Sequence, residues 1–217
     1  TFLVEGTNAV TNSISFSTSV GGIKLTTAGS ASDQVIISPH SSANQSAWYN
    51  IKWGTENEVE WECALSVDSV SDVCFWAGLK ISNTPVLNTD ANQAYFFFDT
   101  STLVGSGSSM TSQSTLHFCY SVNNIDYVTN LGITAEANNT YRLRIVFDNN
   151  RKLSVFVNEV QYGLTTTTST TGNVVSNETQ KSNQLLAVDL LPFVGIQQTT
   201  GTAKVLNLSY EKISRNI

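Results

Sequence analysis

The chain has 217 residues, with 11 Lys and Arg against 17 Asp and Glu, a formal net charge of −6 and a pI near 4.8. That balance leaves no basic stripe for a phosphate backbone, so nucleic acid is excluded as a partner. No apolar run nears the roughly 20 residues that span a bilayer, and the length suits one all-β domain of roughly 200 to 250 residues. Charged residues are only 13% of the chain while 27 Ser, 26 Thr and 21 Asn dress it with neutral polar groups, and 41% hydrophobic residues are enough for a core.

Residues 1–20 hold Phe2, Leu3, Val4, Val10, Ile14 and Phe16 spread thinly, and read as an N-terminal arm or a first strand ahead of a sandwich domain over 21–217. Alternation begins at 14–18 and continues at 23–27 and 34–38, where Ile23, Leu25, Val35 and Ile37 face one way. A run at 48–53 follows, with Trp48, Tyr49 and Trp53. In 59–67 every second residue is apolar, and 73–81 repeats the pattern after the polar connector 68–72. Further strands are predicted at 94–99, 115–122, 141–148, 153–158, 191–196 and 203–210. Period 3.6 is not sustained anywhere beyond a short turn near 185–190. Segments 101–114 and 165–183 read as long loops. Twelve short strands without a long helix predict an all-β sandwich of two antiparallel sheets.

The odd set Cys63, Cys74 and Cys119 sits inside apolar strand patterns and predicts buried free thiols, as in a chain folded in a reducing compartment. The first residues carry neither the basic nor the apolar region of a signal peptide.

The sharpest pattern is Tyr141-Arg142-Leu143-Arg144-Ile145-Val146-Phe147-Asp148, a turn over Asn149-Asn150-Arg151-Lys152, and Leu153-Ser154-Val155-Phe156-Val157-Asn158. It resembles the hairpin of concanavalin A-like (laminin G-like) jelly rolls. Glu159 stands where Gly is usual, so the second turn is expected to differ from the ordinary form. The runs Gly22–Gly29, Asp33–His40, Trp76–Ile81, Thr89–Phe96 and Ala203–Arg215 extend the likeness to most of the chain. In that order they resemble bacteriophage virion proteins of marine and cyanobacterial phages that carry this jelly roll. The resemblance implies a non-enzymatic virion structural protein, a capsid decoration or a tail or fibre appendage, assembled in host cytoplasm. It implies other virion proteins as partners and a homo-oligomer such as a trimer; with no apolar run long enough to span a bilayer, no membrane partner is expected, and no cofactor is expected.

Glu58, Glu60 and Glu62 lie at i, i+2 and i+4, which on a strand places all three on one face. The spacing is similar to the Glu-x-Asp-x-Glu strand of jelly-roll glycoside hydrolases, where two carboxylates serve as nucleophile and acid. Glu60 replaces the middle Asp. The alternative is a polar sheet face on which these glutamates meet Lys80, Arg142 and Arg144 across strands.

Trp76 and Phe156 fall out of phase with the core residues of their strands. With Trp48, Tyr49 and Trp53, Trp76 forms the candidate glycan-stacking set, and the host-surface glycan is the rival partner; the same rings also suit a subunit interface. Asp90, Asn92 and Asp148 are oxygen donors in turns and thus calcium candidates, although Asp and Asn are ordinary turn formers. His40 and His117 lie far apart and make no metal triad with other residues.

Overall fold

A computed structural model describes residues 2–18, 21–39, 58–82, 90–100, 112–164, 172–173 and 190–216. In chain order the strands are β1 (Leu3–Glu5), β2 (Ile14–Phe16), β3 (Ile23–Thr26), β4 (Gln34–Ser38), β5 (Glu60–Val67), β6 (Val73–Lys80), β7 (Gln93–Asp99) and β8 (Thr115–Val122). They continue as β9 (Ile125–Thr134), β10 (Tyr141–Phe147), β11 (Leu153–Val157), β12 (Val160–Tyr162), β13 (Gly172–Asn173), β14 (Leu191–Gln198) and β15 (Val205–Ser214).

Two sheets form a jelly-roll sandwich. One runs β1-β4-β14-β6-β7-β8-β9-β13 and the other β12-β11-β10-β5-β15-β3-β2. Every pairing is antiparallel except the two-residue β13 against β9. The three cysteines are buried and free, as the strand patterns require.

The core lies between the sheets because alternate residues of each strand point there. From the seven-stranded sheet come Trp61, Cys63, Leu65, Leu143, Ile145, Val155, Leu206 and Leu208; from the other come Phe75, Ala77, Phe96, Phe118, Tyr120 and Ile196. Phe75 stacks on Phe98 with centroids 5.0 Å apart, and Tyr120 on Tyr127 at 4.6 Å. Such ring pairs add roughly 0.5 to 1.5 kcal/mol beyond the area they bury. The far face of the eight-stranded sheet holds a second buried cluster of Ile36, Cys74, Trp76, Tyr95, Phe97, Cys119, Val128 and Phe193. Burial on both faces explains why β6 and β7 are apolar nearly throughout.

Four details refine or differ from the sequence expectations. Residues 3–16 follow the first-strand alternative and not the free arm: β1 pairs with β4 and β2 with β3, so one segment edges both sheets. The long strand β9 is additional, paired to β8 through a bulge at Leu116/His117. The turn after β11 keeps the ordinary two-residue form, with Asn158 at φ +50° and Glu159 at φ +68°, the glutamate taking a conformation that suits glycine. Finally, β15 runs on to Ser214, with a bulge between Leu208 and Tyr210 that reverses its phase. The loops predicted at 101–114 and 165–183 lie mostly outside the described residues.

Candidate functional site

Three neighbouring strands of the seven-stranded sheet, β10, β5 and β15, come together at one end to form a cleft of about 430 Å³. Glu58 and Glu60 line it from the start of β5, Val146 and Phe147 from the end of β10, and Asp148 and Asn149 from the following turn. Ser214, Arg215 and Asn216 close it from the end of β15. Register holds these together: Glu60 lies opposite Val146 on one side and Ser214 on the other.

The carboxylates are held in different ways. Glu60 faces Arg144 at 3.7 Å, and the Arg144 guanidinium in turn covers the Phe156 ring at 4.0 Å. Thus the out-of-phase Phe156 carries a cation on the outer face. Glu62 accepts a hydrogen bond from the Tyr210 hydroxyl. Glu58 accepts one from the Asn216 side-chain amide and stands before β5 with φ +48°. Glu60 and Glu62 therefore share a strand face, whereas Glu58 is off the strand and the three-rung ladder is broken. Arg142 pairs with Glu159 at 3.0 Å in solvent.

Lys80 is not a partner of the glutamates, because β6 belongs to the other sheet. It is fully buried there, 3.6 Å from Asp90, with the Tyr95 and Phe193 rings 5.2 and 6.0 Å away. Burial lowers Lys80 to about 8 although Asp90 pulls the other way. Asp90 also accepts from the backbone amides of Ile81 and Ser82 and from the Ser82 hydroxyl. Asn92 accepts from the Asn123 amide. Asp148 accepts from the amides of Asn150 and Lys152, closing the β10–β11 turn. The calcium candidates thus accept hydrogen bonds in two places, Asp90 and Asn92 in one segment and Asp148 in another, and among the described residues no group of three or more His, Cys, Asp or Glu is placed to hold a metal.

Trp76 does point away from the main core, as its phase predicts, but it is fully buried in the second cluster, and among the described residues its Nε1 has no hydrogen-bond partner. Trp48, Tyr49, Trp53 and His40 lie outside the described residues. His117 is buried with Nδ1 3.0 Å from the Thr115 carbonyl, and burial lowers it to about 4.

Of the cleft, sequence reasoning found Glu58, Glu60 and Asp148 but missed Ser214, Arg215 and Asn216. Their signal was hidden by the bulge, which ends the visible alternation before β15 ends. Chemically, the lining offers carboxylate acceptors, amide groups that both donate and accept, a hydroxyl and a guanidinium. That is the complement of a ligand rich in hydroxyls.

No family pattern matches the chain, and no curated protein matches it. Solved structures do. The Emp47p carbohydrate recognition domain superposes with a TM-score of 0.59 at 7% identity, covering 100% of this chain and 89% of its own. A Bacillus licheniformis β-glucanase gives 0.55 at 11% identity, covering 98% and 92%. An alginate lyase from Pseudomonas aeruginosa gives 0.52 at 10%, covering 94% and 86%. The fold is therefore the concanavalin A-like jelly roll.

Proposed function

We propose that this jelly roll binds a glycan in the cleft between Glu58 and Asn216 and carries out no chemistry on it. The observation that carries the reading is the polar lining of the cleft: Glu58, Glu60, Asp148, Asn149, Ser214, Arg215 and Asn216 around about 430 Å³. Sugars present alternating donors and acceptors, and sites that recognise them by hydrogen bonds discriminate strongly against ligands lacking those groups. The likeness to a domain named for carbohydrate recognition supports the same reading. The broken glutamate ladder supports binding over hydrolysis, since Glu60 is engaged by Arg144 and Glu62 by Tyr210.

A glycan array probed with the full chain tests this. Binding that is lost in both Glu58→Gln and Asn216→Ala, with the circular dichroism spectrum kept, is the expected result. No binding to any glycan counts against the reading. Release of reducing sugar from a bound polysaccharide, lost in Glu58→Gln and Glu60→Gln, would make the chain an enzyme instead.

A second reading concerns where the domain works: on a virion, as a homo-oligomer, in contact with other virion proteins. The ordered runs from Gly22 to Arg215 support it. So does the edge segment, where Val10 is 60% and Phe16 87% exposed, a surface that a neighbouring subunit would cover. Light scattering on the chain and on Phe16→Ser tests the assembly. An oligomer that falls to monomer in the variant is expected, and a monomer in both samples counts against it.

A further inference from the structure

Glu211 is a half-buried carboxylic side chain on the inward-facing side of β15. Up to Leu208, β15 sends Leu206 and Leu208 inward, opposite Val67 and Leu65. The extra residue Ser209 shifts the phase. Tyr210 and Lys212 then point outward, opposite Ala64 and Glu62, while Glu211 and Ile213 point inward, opposite Cys63 and Trp61. The fully buried Trp61 indole donates its Nε1–H to Glu211 Oε1 at 2.8 Å.

The groups facing Glu211 from β5 are this indole and the Cys63 thiol. Neighbouring β3 pairs with β15 only over Val205–Leu208, short of Glu211, and β14 in the opposite sheet turns the apolar Val194 and Ile196 inward. Burial raises Glu211 to about 7, with the Trp61 hydrogen bond opposing the shift. Three residues further along the same strand, Ser214, Arg215 and Asn216 form one wall of the cleft.

We propose that Glu211 is a protonation-controlled latch on that wall: uncharged, it seats the end of β15 against β5, and charged, it lets residues 211–216 part from the sheet. A charged carboxylate half-buried against apolar groups is costly, and moving fully into water is the cheapest relief. A strand end with solvent beyond it is where such local opening occurs. The bearing of the latch on glycan binding rests on the reading above; the latch itself does not.

Hydrogen exchange on the full chain tests it, corrected for the intrinsic pH dependence and referred to the amides of β10 and β11. For a carboxyl returning from about 7 to its ordinary 4.5 on opening, linkage gives a loss of protection over 211–216 of about 30-fold between about pH 5.5 and 8.5. Glu211→Gln, which cannot ionise, holds the ratio constant. A constant ratio in the wild type, or an equal loss in Glu211→Gln, overturns the latch. Should that variant fail to fold, a carbon-13 NMR titration of the wild-type Glu211 carboxyl decides: a midpoint near neutrality supports the latch and an ordinary one overturns it. Glycan arrays at about pH 6 and 8 then separate the two ideas. Equal binding at both overturns the control of the cleft, whereas no binding at either overturns the glycan reading and leaves the exchange result to judge the latch.

Discussion

The Trp76 indole packs against Gly195, its cross-strand partner in β14, so closely that a Cβ at that position would meet the indole Nε1 at 2.6 Å. Glycine is the only residue that lets the ring lie there. Gly195→Ala is expected to lower stability by about 1 to 3 kcal/mol, the usual cost of overpacking a core. In a denaturant titration of the double variant Gly195→Ala/Trp76→Phe, the two losses should add to less than their sum, because the smaller ring relieves the clash. Full additivity would show that the contact is not what limits residue 195.

The Asp90 carboxylate stands 3.6 Å from a fully buried ammonium. Asp90→Asn keeps the shape but removes the charge, and losing one partner of a buried pair costs roughly 3 to 5 kcal/mol. Because burial already holds Lys80 down to about 8, the variant can shed that proton, so its deficit in thermal midpoint should be smaller at about pH 9 than at pH 6. The same engaged oxygens predict that calcium, compared with a chelator, leaves the wild-type midpoint unchanged.

Glu159 occupies a backbone conformation, φ +68°, that glycine adopts without strain. Glu159→Gly is expected to raise stability by about 1 kcal/mol, since a side chain in the left-handed region costs roughly 1 to 2 kcal/mol. The pair lost with Arg142 is more than half exposed on both sides, and such pairs contribute roughly 0 to 1 kcal/mol. The midpoint of urea unfolding checks this; a decrease would mean the surface pair outweighs the backbone.

Glu211 and His117 act against one another as pH changes. Burial raises Glu211 from 4.5 to about 7, so its stabilisation is complete below 4.5 and is lost as pH rises through about 7. Burial lowers His117 from 6.5 to about 4, so its contribution is complete above 6.5 and is lost as pH falls through about 4. Between about 4.5 and 6.5 the folded and unfolded chains bind equal numbers of protons at these two sites, and their joint effect is flat. Thermal melts across that window should therefore slope upward with pH in Glu211→Gln and downward in His117→Gln. Parallel curves for both variants would refute the opposition.

The seven-stranded sheet was legible in the sequence because one of its faces meets water. Glu60, Glu62, Arg142 and Arg144 alternate with Trp61, Cys63, Leu143 and Ile145, and a period of two results. The strands of the eight-stranded sheet were legible too, but the burial of their outer face was not, since Trp76, Tyr95 and Phe97 are buried on the face opposite Phe75 and Phe96. Trp76 thus carried the right phase for an outer face and the wrong exposure for a surface stacker. The first strand escaped notice because it is only three residues long and is fixed by a partner distant in sequence, whereas the second fell within the alternation read at 14–18. In the cleft, Glu58 and Glu60 were visible as a pattern. Arg215 and Asn216 were not, because a bulge at one serine makes Tyr210 look inward and Glu211 outward, the reverse of what occurs.

The positions of β14 and β15 set the order in which the chain can become a sandwich. β14 lies between β4 and β6, and β15 lies between β3 and β5, so each fills an interior place in its sheet. While a ribosome still holds those two strands, the segments already made form four separate ribbons with open edges, and neither sheet can close. Such pairing of distant segments is intrinsically slow. Completion is thus a late step, in which the 8 residues of β14 and the 10 of β15 join the two sheets. Until then, the exposed ribbon edges are the surfaces a chaperone would have to shield.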